Sequence, residues 1–243
     1  MTIPIRLHCG HYDAAIVDLD GTLVDTLGDF AVALRLALAD VLPGEPAGQT
    51  LDAATVGRMV GQGSEHLVKS VLNHVFAQSG QAHAATDLVA TYDRAQASYQ
   101  RHYAAINGQH STLYPGVLEG LASLRKSGLP LVCLTNKPLA FARSLLKFKQ
   151  LDGFFLEVFG GDSFERKKPD PLPLRKACGF LGTLPARTLM IGDSSNDARA
   201  ARAAGCPVLL VTYGYNHGEP VRSVDADGFV DSLAELAAPA EPR

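Results

Sequence analysis

Residues 14–26 form the stretch Ala-Ala-Ile-Val-Asp-Leu-Asp-Gly-Thr-Leu-Val-Asp-Thr. Its apolar run has the length and composition of a buried strand, and it ends at Asp18 and Asp20. Because successive residues of an extended chain alternate in direction, two carboxylates two positions apart point the same way. Open α/β sheets bind their ligands at the carboxyl ends of the strands. Adjacent carboxylates repel each other, so the pair indicates a metal ion, a shared proton, or both.

The same pair has two other interpretations. Paired Asp residues in a loop are most often turn or capping residues. A calcium-binding EF-hand loop also begins Asp-x-Asp, but its fifth and sixth positions need an oxygen ligand and a Gly, where this chain has Thr22 and Leu23. An EF-hand also requires a helix before the loop. An apolar strand precedes this one, so we reject the calcium loop.

Composition limits the classes of function. The chain has 243 residues and a net charge of −3, and its Lys and Arg residues form no long basic run, so we expect no nucleic-acid partner. No apolar segment approaches membrane-spanning length, and no apolar signal core precedes the first strand. The four cysteines are Cys9, Cys133, Cys178 and Cys206, and none of them forms a Cys-x-x-Cys pair. Cys133 and Cys206 lie in apolar runs typical of a core. We expect a soluble cytoplasmic protein without a membrane partner, either a monomer or a homodimer.

Residues 25–108 have a helical pattern. The segment from Asp25 to about Leu42 predicts a helix, and Pro43-Gly44-Glu45-Pro46 predicts its break. Further helices are predicted near 52–60, 64–79 and 86–105. We therefore predict an inserted helical domain over 25–109 and a core domain formed by 1–24 and 110–243.

Beyond Gly108 strands and helices alternate, after a turn at Tyr114-Pro115-Gly116. Strands are predicted at 14–17, 131–134, 155–159, 188–191, 208–211 and 229–230. Helices are predicted at 117–127, 139–149, 171–178, 196–204 and 232–238. This alternation predicts an α/β fold, with a Rossmann-like parallel sheet covered on both faces.

Polar residues follow several of these strands. Taken singly, Thr135 fits a strand-end cap, Asp193 and Asp197 fit helix caps, and Lys168 fits a solvated side chain beside Lys167. Because the strand ends of a doubly wound sheet converge on one crevice, the set instead predicts a single polar site.

Four motifs occur in the order typical of the haloacid dehalogenase superfamily, which the chain resembles over nearly its whole length: Asp18–Leu23, Leu134–Lys137, Lys168–Pro171 and Gly192–Asp197. The helical insert is similar to that superfamily's C1-type cap. Within the superfamily, three further stretches resemble bacterial phosphoglycolate phosphatases: Met59–Gly63, Tyr114–Val117 and Tyr213–Pro220.

The resemblance implies a phosphomonoester hydrolase that acts through an aspartyl-phosphate. Asp18 would be the nucleophile, and Asp20 would protonate the leaving alkoxide and then deprotonate the attacking water. Mg²⁺ would be held by an Asp18 oxygen, the main-chain carbonyl of Asp20, and Asp193. The phosphate-binding residues would be Thr135, Asn136 and Lys168, with Asp197 orienting either metal-bound water or Lys168. The Lys-Pro spacing of the family favours Lys168 over Lys167.

The substrate implied is a small phosphomonoester, with 2-phosphoglycolate favoured. Another small phosphate or sugar phosphate remains open, as does a β-phosphoglucomutase-like phosphomutase, because Asp20 serves that chemistry too. A non-catalytic binding module is a further alternative. Gly61 and Gly63 in the helical insert are candidates for substrate specificity, and a plain loop between helices is the competing interpretation.

Overall fold

The computed structural model describes residues 12–42, 51–79 and 85–236, and the chain divides into two compact units. One unit comprises Met1–Asp25 and Leu113–Arg243, and the other comprises Thr26–Thr112. Cys9 and the break predicted at residues 43–46 lie outside the described residues.

A parallel sheet organises the first unit. The strands, in chain order, are β1 (Ala14–Val17), β2 (Val24–Asp25), β3 (Thr112–Leu113), β4 (Leu131–Leu134), β5 (Glu157–Phe159), β6 (Thr188–Gly192), β7 (Val208–Val211) and β8 (Gly228–Val230). Six of them form a sheet of order β5-β4-β1-β6-β7-β8, in which every pairing is parallel, and β2 and β3 form a separate two-stranded sheet.

The register of the central strands brings their carboxyl ends together. Val17 of β1 lies opposite Cys133 of β4 and Ile191 of β6. All four residues of β1 are fully buried, as expected of a parallel strand covered on both faces. The residues that follow these three strands therefore emerge at one edge of the sheet.

The second unit is helical within its described residues. Its helices are α1 (Leu27–Val41), α2 (Ala53–Met59), α3 (Ser64–Ser79) and α4 (Ala85–Ile106). Phe30 of α1 stacks on Tyr103 of α4, with ring centroids 5.5 Å apart. The buried Asp29 carboxylate accepts hydrogen bonds from the amides of Gly108 and His110 at 2.8 and 2.7 Å, which ties the end of the unit to its beginning.

Four helices cover the two faces of the six-stranded sheet: α5 (Val117–Lys126), α6 (Leu139–Phe148), α7 (Leu172–Leu181) and α8 (Ser195–Ala204). Val17 packs in one apolar core with residues of α5 and α6, whereas its neighbour Ile16 packs in the other with residues of α7 and α8. The predicted Rossmann-like α/β fold is thus confirmed. None of the helices in the described part of the chain is both long and apolar enough to span a bilayer.

Several predicted elements need correction. The strand predicted from Phe155 begins at Glu157, because a 3-10 turn at Asp152–Phe154 precedes it and Phe155 donates back to the Asp152 carbonyl. The helix predicted to end at Cys178 continues to Leu181.

The predicted C-terminal helix is a 3-10 turn at Leu233–Leu236, with residues 237–238 outside the described residues. The carboxylate of Glu235 accepts the amides of Asp231 and Ser232, which closes a tight turn there. The short strands β2 and β3 were not predicted. Cys133 and Cys206 are buried core residues, as predicted.

Two helical glycines give a matched test of this packing. A Cβ at Gly120 of α5 would lie 2.5 Å from the carbonyl oxygen of Leu233, whereas a Cβ at Gly179 of α7 would have no atom within 4 Å. We expect Gly120→Ala to lower the free energy of unfolding by about 1–3 kcal/mol through overpacking. Gly179→Ala should raise it by about 0.5–1 kcal/mol. Urea unfolding measures both, and equal effects would contradict the packing of Leu233 on α5.

Candidate active site

Three buried carboxylates share one ammonium group at the carboxyl edge of the sheet. Carboxylate oxygens of Asp18, Asp193 and Asp197 lie within 4.8 Å of one another, and the three residues are 8, 3 and 1% exposed. The Nζ of Lys168 lies 2.8 Å from Oδ1 of Asp18 and 2.7 Å from Oδ1 of Asp197. One ammonium group balances one carboxylate, so the cluster carries an excess of negative charge when all three are ionised.

The ionisation of the cluster reflects this excess. Burial raises the pKa of Asp18 to about 7, although the neighbouring Lys168 acts to lower it. Burial, with a further contribution from Asp197, raises the pKa of Asp193 well above its ordinary value. Burial alone would lower the pKa of Lys168, but Asp18 and Asp197 raise it above its usual range, so Lys168 is a permanent cation.

These residues fit a hard divalent cation. The three side chains of the cluster offer carboxylate oxygens, which Mg²⁺ prefers, and they converge without enough positive charge to neutralise them. A cation bound between Asp18 and Asp193 would stabilise their ionised forms and so offset the burial that raises their pKa values. The structure thus supports a metal site, with the carboxylates as its ligands.

Asp197 holds the start of α8 and orients Lys168. Its Oδ2 accepts hydrogen bonds from the amide and hydroxyl of Ser194 at 3.2 and 2.9 Å and from the amide of Asp193 at 3.3 Å. A Cβ at Gly192 would lie 2.4 Å from Cγ of Asp197, so glycine is needed for this approach. Oδ2 of Asp197 thus accepts the bonds of the helix cap, and Oδ1 accepts the bond from Lys168. These bonds fit the predicted role of Asp197 in orienting Lys168, which stays a prediction.

Lys168 reaches the cluster from the loop after β5. Its ammonium group also donates to the carbonyl of Leu134 at 2.9 Å, and the residue is buried, whereas Lys167 is partly exposed. Lys168 is therefore the lysine in the cluster.

The end of β4 supplies Thr135 and Asn136 next to this lysine. The Thr135 hydroxyl is buried and accepts the amide of Lys137 at 3.2 Å, which leaves its proton available for donation. The Asn136 side-chain amide donates one hydrogen bond to the Lys168 carbonyl at 2.8 Å, and its predicted bond to phosphoryl oxygens stays a prediction. In this structure Asn136 ties the Lys168 loop to β4.

Asp20 lies in the tight turn after β1, where Gly21 has a φ of 84°. A Cβ at Gly21 would lie 2.2 Å from Oδ2 of Asp193, so only glycine lets the turn approach Asp193 this closely. The side chain of Asp20 is apart from the three clustered carboxylates and pairs with Lys137, whose Nζ lies 2.9 and 3.2 Å from its two oxygens. The role of the Asp20 main-chain carbonyl as a metal ligand remains a prediction.

Sequence reasoning missed three residues of this site. Lys137 is 5% exposed and is the partner of Asp20, and Thr22 donates its hydroxyl to Oδ1 of Asp193 at 3.2 Å. The amide of Tyr215 donates to Oδ2 of Asp193 at 2.6 Å. Lys137 and Thr22 stand inside recognised motifs, which was an available signal. Tyr215 lies within the Tyr213–Pro220 stretch that carries the family resemblance, but its bond to Asp193 is a main-chain contact that residue type does not reveal.

Gly61 and Gly63 belong to the second unit, in the connection between α2 and α3. Their φ angles are 113° and 90°, a region that glycine adopts readily and other residues rarely do. The geometry accounts for both glycines as loop residues. Their part in substrate specificity stays a prediction.

Comparison with known proteins identifies the family. A family model described as haloacid dehalogenase-like hydrolase matches residues 12–205, and the chain belongs to this family.

Its relatives include the phosphoglycolate phosphatase of Thiobacillus denitrificans, 45% identical over 92% of this chain and 93% of the relative. The plasmid-borne phosphoglycolate phosphatase of Cupriavidus necator is 44% identical over 93% and 91% of the two chains. A crystal structure of a predicted phosphoglycolate phosphatase from Haemophilus somnus matches with a TM-score of 0.85 and 31% identity, covering 93% of this chain and 96% of that one.

The raised pKa values predict an unusual pH dependence of stability for the metal-free protein. Asp18 keeps its proton to about pH 7 when folded but releases it near its ordinary pKa of 3.8 when unfolded. Between these values the folded state binds more protons, so the free energy of unfolding falls as pH rises. We expect the Tm in EDTA to fall from about pH 5.5 to about pH 7.5, by about 2–4 °C for each kcal/mol lost.

Two controls accompany this thermal-unfolding measurement. Saturating Mg²⁺ should remove the fall, because a bound cation stabilises the ionised carboxylates. Asp193→Asn should reduce the fall in EDTA by removing one of the repelling charges. A Tm in EDTA that is constant or rises over this range would contradict the electrostatic description of the site.

Proposed function

We propose that this protein is a Mg²⁺-dependent phosphomonoesterase that transfers a phosphoryl group from 2-phosphoglycolate to Asp18 and then to water. The observation that carries the proposal is the position of Asp18. Its carboxylate is at the tip of the central strand, beside Lys168 and within the carboxylate cluster. The names of the relatives support the choice of substrate.

In the first step, an Asp18 oxygen bonds to phosphorus as the bond from phosphorus to the alkyl oxygen breaks. Lys168 favours the ionised form of Asp18 and attracts the anionic phosphoryl group. The buried Thr135 hydroxyl donates to a phosphoryl oxygen. Asp18 and Asp193 would hold Mg²⁺, which would supply positive charge to offset that of the phosphoryl oxygens.

Asp20 moves the protons. In the first step Asp20 gives its proton to the leaving alkoxide. In the second step Asp20 accepts a proton from a water molecule. That water attacks phosphorus, which breaks the bond from phosphorus to the Asp18 oxygen. Lys137, 2.9 Å from an Asp20 oxygen, holds this carboxylate in place. The separation of Asp20 from the carboxylate cluster fits this division of roles, since Asp20 is free of the constraint of binding metal through its side chain.

We also propose that Thr26–Thr112 is the cap domain of a C1-type member of the family and that it selects the substrate, with Gly61 and Gly63 in its specificity loop. A small phosphomonoester suits closure by such a cap. The buried free thiols of Cys133, Cys178 and Cys206 favour a reducing compartment such as the cytoplasm.

Replacement of the nucleophile gives the sharpest test of the chemistry. Asp18→Asn should lower kcat by a factor on the order of 10⁴ or more, because it removes the attacking carboxylate. The matched variant Asp20→Asn keeps the nucleophile, so an activated ester such as p-nitrophenyl phosphate should still phosphorylate it. Slow dephosphorylation should then leave one phosphoryl group on Asp18, detectable by peptide mass spectrometry. A phosphoryl group on the Asp18→Asn protein, or turnover close to wild type, would refute the assignment.

A panel of phosphomonoesters tests the substrate. We expect the highest kcat/KM with 2-phosphoglycolate and lower values with sugar phosphates. A sugar phosphate hydrolysed much faster would overturn the choice of substrate but not the reaction class. Conversion of a sugar phosphate to its isomer with little free phosphate would establish the phosphomutase instead. No reaction with any ester would favour the binding module.

A further inference from the structure

The loop after β7 holds the metal-ligand candidate Asp193 through the main chain of Tyr215. The amide of Tyr215 donates to Oδ2 of Asp193 at 2.6 Å. A Cβ at Gly214 would lie 2.2 Å from Cβ of Asp193 and 2.6 Å from the carbonyl oxygen of Gly21, so glycine lets the loop come this near. The rotation of the Asp193 carboxylate therefore depends on where this loop lies.

The side chain of the same tyrosine fixes the loop at its other end. The hydroxyl of Tyr215 donates to Oδ1 of Asp25 at 2.6 Å, and the residue is 8% exposed. Burial raises the pKa of Tyr215 far above its usual range, so the hydroxyl remains a donor at physiological pH. Asp25 ends β2 and is the last residue of the first unit before the chain enters the second.

A second tyrosine, Tyr213, secures the same loop through a different hydrogen bond. Tyr213 donates its hydroxyl to the carbonyl of Thr22 at 2.9 Å, and its ring lies 4.3 Å from that of Tyr114. Tyr213 is thus an internal control: its hydroxyl secures the same loop with a hydrogen bond of similar length, but it bonds to the Thr22 main chain and not to Asp25.

We propose that Tyr215 is a positioning residue for the metal site. Its side chain links the orientation of Asp193 to Asp25, where the chain leaves the first unit. The proposal rests on the Mg²⁺ site of the proposed function. The bond from Tyr215 to Asp25 fixes the loop, and the fixed loop aims the Asp193 carboxylate at Asp18. Because coupling between two sites is reciprocal, metal binding at Asp193 strengthens the bond to Asp25 by the same factor.

Calorimetric titration of metal-free protein with Mg²⁺ tests this directly and needs no substrate. We expect Tyr215→Phe to weaken the Kd for Mg²⁺ by roughly 5-fold or more. Asp25→Ala should have the same effect, and the double variant should be no worse than either single one. Asp25→Asn keeps an oxygen acceptor for the hydroxyl and should restore affinity close to wild type. Tyr213→Phe should change the Kd by less than about twofold.

Two further readouts separate positioning from general loss of structure. Saturating Mg²⁺ should restore the kcat of Tyr215→Phe, since the defect lies in metal affinity. In hydrogen exchange, Mg²⁺ should slow the amides around Asp25 in the wild type but much less in Tyr215→Phe.

The outcomes are distinguishable. A wild-type protein that does not bind Mg²⁺ would refute the metal site of the proposed function, and this inference with it. Normal binding by wild type together with an unchanged Kd in Tyr215→Phe would refute only the role of Tyr215. A Tyr213→Phe defect equal to that of Tyr215→Phe would also refute it, because loop rigidity alone would then explain the result.

Discussion

The structure depends on the unequal charge of its central cluster, in which Asp18, Asp193 and Asp197 face the single ammonium of Lys168. Burying carboxylates without matching cations is costly, and the raised pKa values of Asp18 and Asp193 express that cost. The surrounding chain lowers this desolvation cost by giving the three carboxylates different partners. Asp197 is neutralised by Lys168 and by the cap of α8, while Asp18 and Asp193 are left with the charge that attracts a divalent cation.

The fold brings these charges together through the register of a parallel sheet. With Val17 level with Cys133 and Ile191, three strands end at one edge and deliver their next residues to one place. Glycines then allow the close approaches on which the site depends. At Gly21 and Gly214 the backbone comes so near Asp193 that any Cβ would overlap it. A site of this kind needs flexible residue types in its loops and rigid apolar strands behind them.

The bounds of several strands, and the edge of the sheet at which the site forms, were predictable from the sequence. The strands at 14–17, 131–134 and 208–211 match the predicted bounds because each is a short apolar run, fully buried in the sheet. Parallel topology then places the residues that follow these strands at one edge of the sheet. Asp18, Lys168 and Asp193 could therefore be expected to lie close together. The two-residue strands β2 and β3 are too short to show a period, and the turn at Leu233–Leu236 depends on the Glu235 side chain.

The hydrogen bonds that orient the site residues could not be predicted from local sequence patterns. The Asn136 amide bonds to the main chain of Lys168, and Lys137 reaches Asp20, because of how two loops meet in space. The contact from Tyr215 to Asp193 joins residues 22 positions apart through a backbone amide, a donor that every residue except proline carries, so residue type does not reveal it. Sequence motifs therefore indicated which groups perform the chemistry, while the tertiary structure was needed to find what orients them.

If surplus carboxylate charge creates the metal site, Mg²⁺ binding must release protons from the cluster. At about pH 6.5 the metal-free cluster should hold a proton that Mg²⁺ must displace. Calorimetric titration in buffers of different ionisation enthalpy should then show release of about one proton per metal ion bound, falling towards zero at about pH 8.5. A binding enthalpy that is the same in every buffer at both pH values would contradict the account.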